Sequence, residues 1–224
     1  MKSDTVACFI PIKERSTRVP RKNFRLLGDR RLFEYIIMTA VDSNCFDKIY
    51  VDTDSDEVYE FCADLKVEVI TRDSELSKDT ANGNDLMNYW YKKFPHYDYY
   101  FQLFVTSPFT RIKTIKECIK TLKQEKYDSV FTAHKKCGWY WFDRIPINYN
   151  PLVLPRSQDA KKVFSETTAL YGINKQALHG RRCRIGNRPY FYFVDDLESV
   201  DIDSAFDFEM ANMLVKKYNK EERC

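Results

Sequence analysis

Apolar and polar positions alternate along this chain on two different periods. Val6 to Ile12 carries no charge, as a strand buried on both faces would read. "RLFEYIIMTAV" then spaces its apolar side chains three and four apart, which predicts an amphipathic helix. "KIYVDTD" predicts a second strand ending in carboxylates, "SDEVYEFCADL" a helix and "KVEVITR" a third strand. "NDLMNYWYKKF" predicts a helix, and "YDYYFQLFVTSP" a strand stopped by Pro108. Asp54, with Glu57 three residues on, resembles a capping box for the second helix. Ile112 to Glu125 predicts a clearly amphipathic helix and "DSVFTAH" another strand.

Strict strand–helix alternation predicts an α/β fold, a largely parallel, Rossmann-like sheet with helices on both faces. Ligands of such sheets bind beyond the carboxyl ends of the strands, near a topological switch point. The pattern breaks over residues 136–164, rich in aromatic residues and proline, which predicts a small β-hairpin-like insertion. Trp139, Tyr140 and Trp141 there are either core or a subunit contact. "ALYGINKQAL" predicts a strand and a short helix, and "YFYFVDDLESVDID" a strand reaching a second acidic cluster. A last helix, Ala205 to Tyr218, has Ser204 as its N-cap. Without repeats or linkers, residues 1–224 read as a single domain carrying that insertion.

Charge adds the first chemical clue. The whole chain carries +3, with 36 cations and 33 anions, so it is no polycation. Yet Lys13, Arg15, Arg18, Arg21, Lys22, Arg25, Arg30 and Arg31 stand against only Glu14 and Asp29, giving one loop a local +6. Neither a glycine-rich phosphate loop nor a dinucleotide fingerprint applies, because no glycine occurs between Thr5 and Leu27. Cationic side chains would have to hold an anion where backbone N–H groups do elsewhere, and a nucleoside triphosphate fits that charge. A solvated basic loop or a nucleic-acid patch is the competing reading. In "SVDIDSAFDF", Asp201 and Asp203 alternate on extended backbone, so their carboxylates share a side and could bind a hard divalent cation. "ELSKDTANGND" is a polar loop of small residues that could admit a base. The seven cysteines, at 8, 45, 62, 118, 137, 183 and 224, show no zinc spacing and read as reduced, mostly buried thiols. No run approaches the length of a membrane span or a signal peptide, so the expectation is a soluble, cytoplasmic protein with no membrane or nucleic-acid partner.

Taken in order, these stretches resemble the acylneuraminate cytidylyltransferase family, the CMP-sialic acid and CMP-Kdo-like synthetases. "IPIKERSTRVPRKN" is similar to the family's opening loop, and "FDKIYVDTDSDEV" to its second strand and following helix. "ELSKDTA" is similar to its nucleotide loop, "FVTSPFTR" to one of its strand ends and "SVDIDSAFDFEMA" to its metal motif. The resemblance implies transfer of a cytidylyl group from CTP to an acidic sugar, with release of pyrophosphate, in a Mg2+-dependent homodimer. It implies that Ile12, Ser16, Asn23, Arg72, Ala81 and Gly83 hold the nucleotide and that Asp201 and Asp203 bind Mg2+. Lys13, Arg15 and Lys22 would be catalytic, stabilising the leaving pyrophosphate. Phe104, Ser165 and Glu166 would meet the acceptor.

Four positions depart from the family pattern. Lys13 replaces an arginine, Thr17 a lysine and Phe104 a glutamine, while Ser165 stands where an arginine would face the acceptor carboxylate. The last change points away from sialic acid toward another keto-sugar acid, or a different hydroxyl or phosphate compound. A metal-dependent glycosyltransferase and a non-catalytic nucleotide-binding member are the alternatives. His96, His134 and His179 are candidate bases by residue type alone.

Overall fold

The computed structural model describes residues 4–221; the first three and last three residues, Cys224 among them, lie outside it. The chain opens with β1 (Val6–Ile12), and the two-stranded ribbon of β2 (Leu26–Leu27) and β3 (Arg30–Arg31) leads into α1 (Leu32–Ser43). β4 (Lys48–Thr53), α2 (Asp56–Cys62), β5 (Glu68–Thr71), α3 (Gly83–Lys93), β6 (Tyr99–Leu103), α4 (Ile112–Lys123) and β7 (Ser129–Lys136) follow. A second ribbon, β8 (Trp141–Phe142) and β9 (Ile145–Pro146), precedes the long β10 (Val163–Asn174), α5 (Lys175–Arg181), β11 (Pro189–Phe193) and α6 (Ala205–Glu221).

The main sheet has seven strands in the order β11-β7-β10-β6-β1-β4-β5. All neighbours are parallel except β10, which runs antiparallel between β6 and β7. Every side chain of β1 is buried, because helices cover both faces. Cys8, Ile10 and Ile12 join the core that α1 and α4 complete with Phe33, Ile36, Ile115 and Leu122. Ala7 and Phe9 face the other way, where the Phe9 ring stacks on Tyr50 at 5.0 Å and on Trp90 of α3 at 4.9 Å. A third cluster seats α6 against Leu27, Leu32, Tyr35 and Phe109. The chain leaves β1 for β4 on one side and returns to β6 on the other, so the switch point lies beside β1.

Two local expectations are corrected. Asp54 and Glu57 form no capping box: Ser55 is the N-cap of α2, in extended conformation and without a side-chain cap bond. Both carboxylates serve the basic loop instead. Asp54 Oδ1 accepts from the Glu14 backbone N–H at 2.7 Å, and Glu57 pairs with Arg21 at 2.7 Å and Arg31 at 2.8 Å. The strand expected at "ALYGIN" also starts earlier, since β10 begins at Val163. Its alternation is hidden by a bulge: Glu166 pairs with Ala133 and Tyr171 with Phe131, and the residues between loop out of register. The insertion proper contains the β8–β9 ribbon. At the start of α6, Ser204 Oγ accepts from the Asp207 N–H at 3.2 Å, the N-cap the sequence predicts, and Asp207 accepts from the Ser204 N–H at 2.7 Å to complete a capping box.

Candidate active site

A cleft of about 630 Å³ opens beyond the carboxyl ends of β1 and β6. Its first wall is the basic loop. Lys13 and Arg18 line it from the loop's two limbs, and Lys22 rises from a single turn of 3-10 helix, Lys22–Phe24. That turn is held by the Lys22 N–H donating to Val19 O, and Val19 is buried. Lys22 is therefore an almost wholly buried lysine. Its ammonium donates to the Ile202 carbonyl and sits 3.4 Å from Asp203 Oδ1, to which Arg18 also donates at 2.7 Å. Burial pushes the Lys22 pKa down, and Asp203 and Asp201 oppose the shift. The two ends of the chain, 180 residues apart, thus meet in one place.

The second wall is acidic. Asp201 is half-buried, with Oδ2 2.7 Å from the Thr168 hydroxyl and Oδ1 without a protein partner. Burial raises its pKa, against hydrogen bonds from Thr106 and Thr168 and with Asp203 adding to the rise. Thr168 holds this position at a cost. It stands at φ 57°, a left-handed conformation that a β-branched residue seldom adopts, inside the bulge of β10. Among the described residues no group of three or more His, Cys, Asp or Glu converges on one point. The unpartnered Asp201 oxygen and the Asp203 carboxylate nonetheless suit a cation such as Mg2+, whose shell is otherwise completed by water and substrate oxygens.

The third wall comes from the segment between β5 and α3. Arg72 donates through Nε and Nη2 to the Leu76 carbonyl at 3.2 and 3.0 Å, which fixes the guanidinium plane at the cleft edge. Burial lowers its pKa, and the carboxylates of Asp52 and Asp54 counter that. Ala81 and Leu86 line the cleft beside it. Asn82 starts α3 with a full capping box to Asp85. Lys13 reaches across to Asp79 at 2.7 Å, tying this segment to the basic loop. Asn23 Nδ2 donates to the Lys13 carbonyl at 3.0 Å, while its buried Oδ1 has no protein partner.

Nine of the residues expected from sequence therefore line one cleft: Lys13, Ser16, Lys22, Asn23, Arg72, Ala81, Phe104, Asp201 and Asp203. Five stand outside its lining. Arg15 is exposed and turns to a shallower groove with Glu14, Pro20 and Arg21. Ile12 is packed in the core. Gly83 lies against the Arg184 side chain. Ser165 Oγ donates to the Glu166 carbonyl at 3.3 Å, and Glu166 accepts from the Tyr171 hydroxyl at 2.6 Å, both on β10. Arg18, read from sequence only as one of the loop's cations, lines the cleft too, and Asp79, Thr106 and Thr168 line it unforeseen. The loop's charge marks Arg18 in the sequence, whereas Thr168 gave no signal, because it lies in the bulge of β10.

The chain is similar to known proteins over nearly its whole length. Residues 7–223 match the family described as Cytidylyltransferase. The N-acylneuraminate cytidylyltransferase A of Danio rerio is 26% identical over 225 residues, 97% of this chain and 52% of that protein. The N-acylneuraminate cytidylyltransferase of Streptococcus agalactiae serotype V is 27% identical over 215 residues, 90% of this chain and 51% of that one. The chain spans about half the length of these relatives. The post-translational flagellin modification protein B of Campylobacter coli is 24% identical over 226 residues, 96% of both chains. Among solved structures, a CMP:2-keto-3-deoxy-manno-octonic acid synthetase complexed with CTP superposes with a TM-score of 0.69 at 15% identity, over 96% of this chain and 99% of that one. A 4-diphosphocytidyl-2C-methyl-D-erythritol synthase from Anaerococcus prevotii gives 0.71 at 12% identity, over 95% and 99%. At these identities the likeness is one of fold.

Proposed function

Because the chain belongs to the cytidylyltransferase family, we propose that it transfers the cytidylyl group of CTP to an acidic sugar or similar acceptor, releasing pyrophosphate, for surface-glycan precursor synthesis. One observation carries this reading. Arg18 and Lys22, from the amino end, lie 2.7 and 3.4 Å from Asp203, from the carboxyl end. A triphosphate and its counter-cation need that juxtaposition of cations and carboxylates.

In the reaction an acceptor oxygen forms a bond to the α-phosphorus as the bond to the bridging oxygen of pyrophosphate breaks. Catalysis of this kind rests on placement and charge. Lys13, Arg18 and Lys22 take up the negative charge that grows on the departing pyrophosphate. Arg72, with two N–H groups spent on Leu76, keeps others for the acceptor atoms of a base edge. Asn23 Oδ1 is an acceptor awaiting a ligand donor. Asp201 and Asp203 would hold Mg2+, which when bound offsets phosphate charge and draws the two substrates together. The hairpin arm supports a homodimer: Trp141, Phe142, Ile145 and Ile147 are all exposed on one chain, an apolar surface of the kind a second copy covers. No described helix is long and apolar enough to cross a membrane.

The test is pyrophosphate release with CTP and Mg2+ across a panel of keto-sugar acids, neutral sugars and phosphorylated metabolites, with ATP, GTP and UTP run in parallel. Acceptor-dependent release with CTP is expected. Consumption of a nucleoside-diphosphate sugar without pyrophosphate would instead make the protein a glycosyltransferase, and CTP binding with no turnover would make it a non-catalytic member.

A further inference from the structure

Phe104 lines the cleft where the resemblance expects the acceptor, and beside its ring, next to the cleft's lining rather than in it, stands a cation met so far only as the neighbour of Gly83. Arg184 follows α5 and is anchored by its backbone N–H, which donates to Asn84 Oδ1 at 2.9 Å. Its guanidinium carbon lies 3.6 Å from the centre of the Tyr171 ring and 5.6 Å from that of Phe104. Nη1 donates to Gln102 Oε1 at 3.3 Å, and Gln102 is fully buried. The opposite side is closed by Gly83, where a Cβ would fall 2.1 Å from Nη1. A side chain at Gly83 would take the space the guanidinium occupies and push it aside.

This seat lacks an anion. Lys13 has Asp79, and Arg18 and Lys22 share Asp203, but among the described residues Arg184 makes no ion pair. The nearby Glu166 carboxylate accepts from the Tyr171 hydroxyl. A half-buried guanidinium on an aromatic floor has lost part of its hydration, and a neutral amide returns little of that loss. Arginine carries five N–H donors in a fork that matches a carboxylate, and Gln102 takes only one. The position where the resemblance expects an acceptor-binding arginine holds Ser165, whose hydroxyl donates to a neighbouring carbonyl.

We propose that Arg184 is the specificity residue for the acceptor, binding the carboxylate of a keto-sugar acid seated against Phe104 in the role that Ser165 cannot fill. This assignment rests on the cytidylyl transfer proposed above. It is tested by steady-state pyrophosphate release from the parent, Arg184→Met, Arg184→Lys and Gly83→Ala. The acceptors are the best acid of the panel, with N-acylneuraminate and 2-keto-3-deoxy-manno-octonic acid included, the carboxamide of that same sugar, and a phosphorylated neutral sugar.

Arg184→Met should raise the KM for the acid roughly 30-fold, the scale of a charged hydrogen bond, and leave the KM for CTP within about twofold. Arg184→Lys should recover part of the loss, because it restores charge without the fork. Gly83→Ala, which displaces the guanidinium while keeping its charge, should raise the KM for the acid as well. On the carboxamide, parent and Arg184→Met should be alike. Equal losses on acid and carboxamide, a change in the CTP KM instead, or no change at all would overturn the assignment. So would a parent that works best on the phosphorylated neutral sugar. If Arg184→Met does not fold, Arg184→Lys and Gly83→Ala carry the comparison. A parent that binds CTP and releases no pyrophosphate with any acceptor overturns the transfer reading, and this assignment with it.

Discussion

At Lys22, burial and charge pull in opposite directions. Burial disfavours the ammonium, while Asp203, Asp201 and the Ile202 carbonyl favour it. On the proposed reading, a lysine held this way meets a phosphate with much of its own water already lost. Lys22→Ala should therefore cut kcat/KM for CTP about a hundredfold, or about 3 kcal/mol of transition-state stabilisation, and unimpaired turnover would refute the role. Thr168 poses the opposite trade. Its left-handed φ of 57° costs on the order of 1 kcal/mol, and its hydroxyl orients Asp201. Thr168→Gly should hold or raise the melting temperature while kcat/KM falls about tenfold, whereas Thr168→Ser should keep the activity. A glycine variant with full activity would reduce Thr168 to an incidental neighbour. Lys22, Asp201 and Asp203 were legible in the sequence because local charge and alternation mark them. Thr168 and Arg184 were not, since their roles arise from a bulge and a ring stack between distant segments.

Among the elements, α4 shows how the second acidic cluster serves the fold. Glu198 is buried, and its Oε1 accepts from the Arg111 N–H at 2.9 Å, satisfying the residue at which the helix begins. Burial raises its pKa from the ordinary 4.5, so the folded chain holds this proton more tightly than the unfolded chain. As pH rises through that interval the unfolded state ionises first, and folding stability falls. Glu198→Gln removes the titration. The melting-temperature difference, variant minus parent, should move in the variant's favour as pH climbs above 4.5 and then level off once the folded pKa is passed. A difference that stays constant from about pH 4 to about pH 8 would contradict this. Periodicity located the parallel strands and the helices of this chain well, because two-sided burial leaves an uninterrupted apolar run. It failed on the first half of β10, whose bulge breaks the two-residue rhythm. It also misassigned Asp54 and Glu57, whose spacing fits a cap but whose partners lie on another loop.

For the whole molecule, the position of the cleft follows from topology. Crossovers leave β1 in both directions, and no helix can cover the gap they create at its carboxyl end. The apolar arm around β8 and β9 gives this scale its own prediction. Phe142 is 73% exposed and Ile145 64%, so a chain carrying Phe142→Glu and Ile145→Glu should sediment as a monomer at concentrations where the parent sediments as a dimer. A parent that is monomeric throughout would remove the arm's proposed purpose.

The prior pairing of the cleft's cations has a further consequence. Lys13 is matched with Asp79, and Arg18 and Lys22 with Asp203. On the proposed reading, an incoming triphosphate exchanges these internal partners for its own oxygens rather than docking onto bare charge. Raising ionic strength weakens the contacts being given up along with those being gained. The KM for CTP should accordingly climb less steeply with potassium chloride than a loop of +6 would suggest, and Asp79→Asn should make that climb steeper.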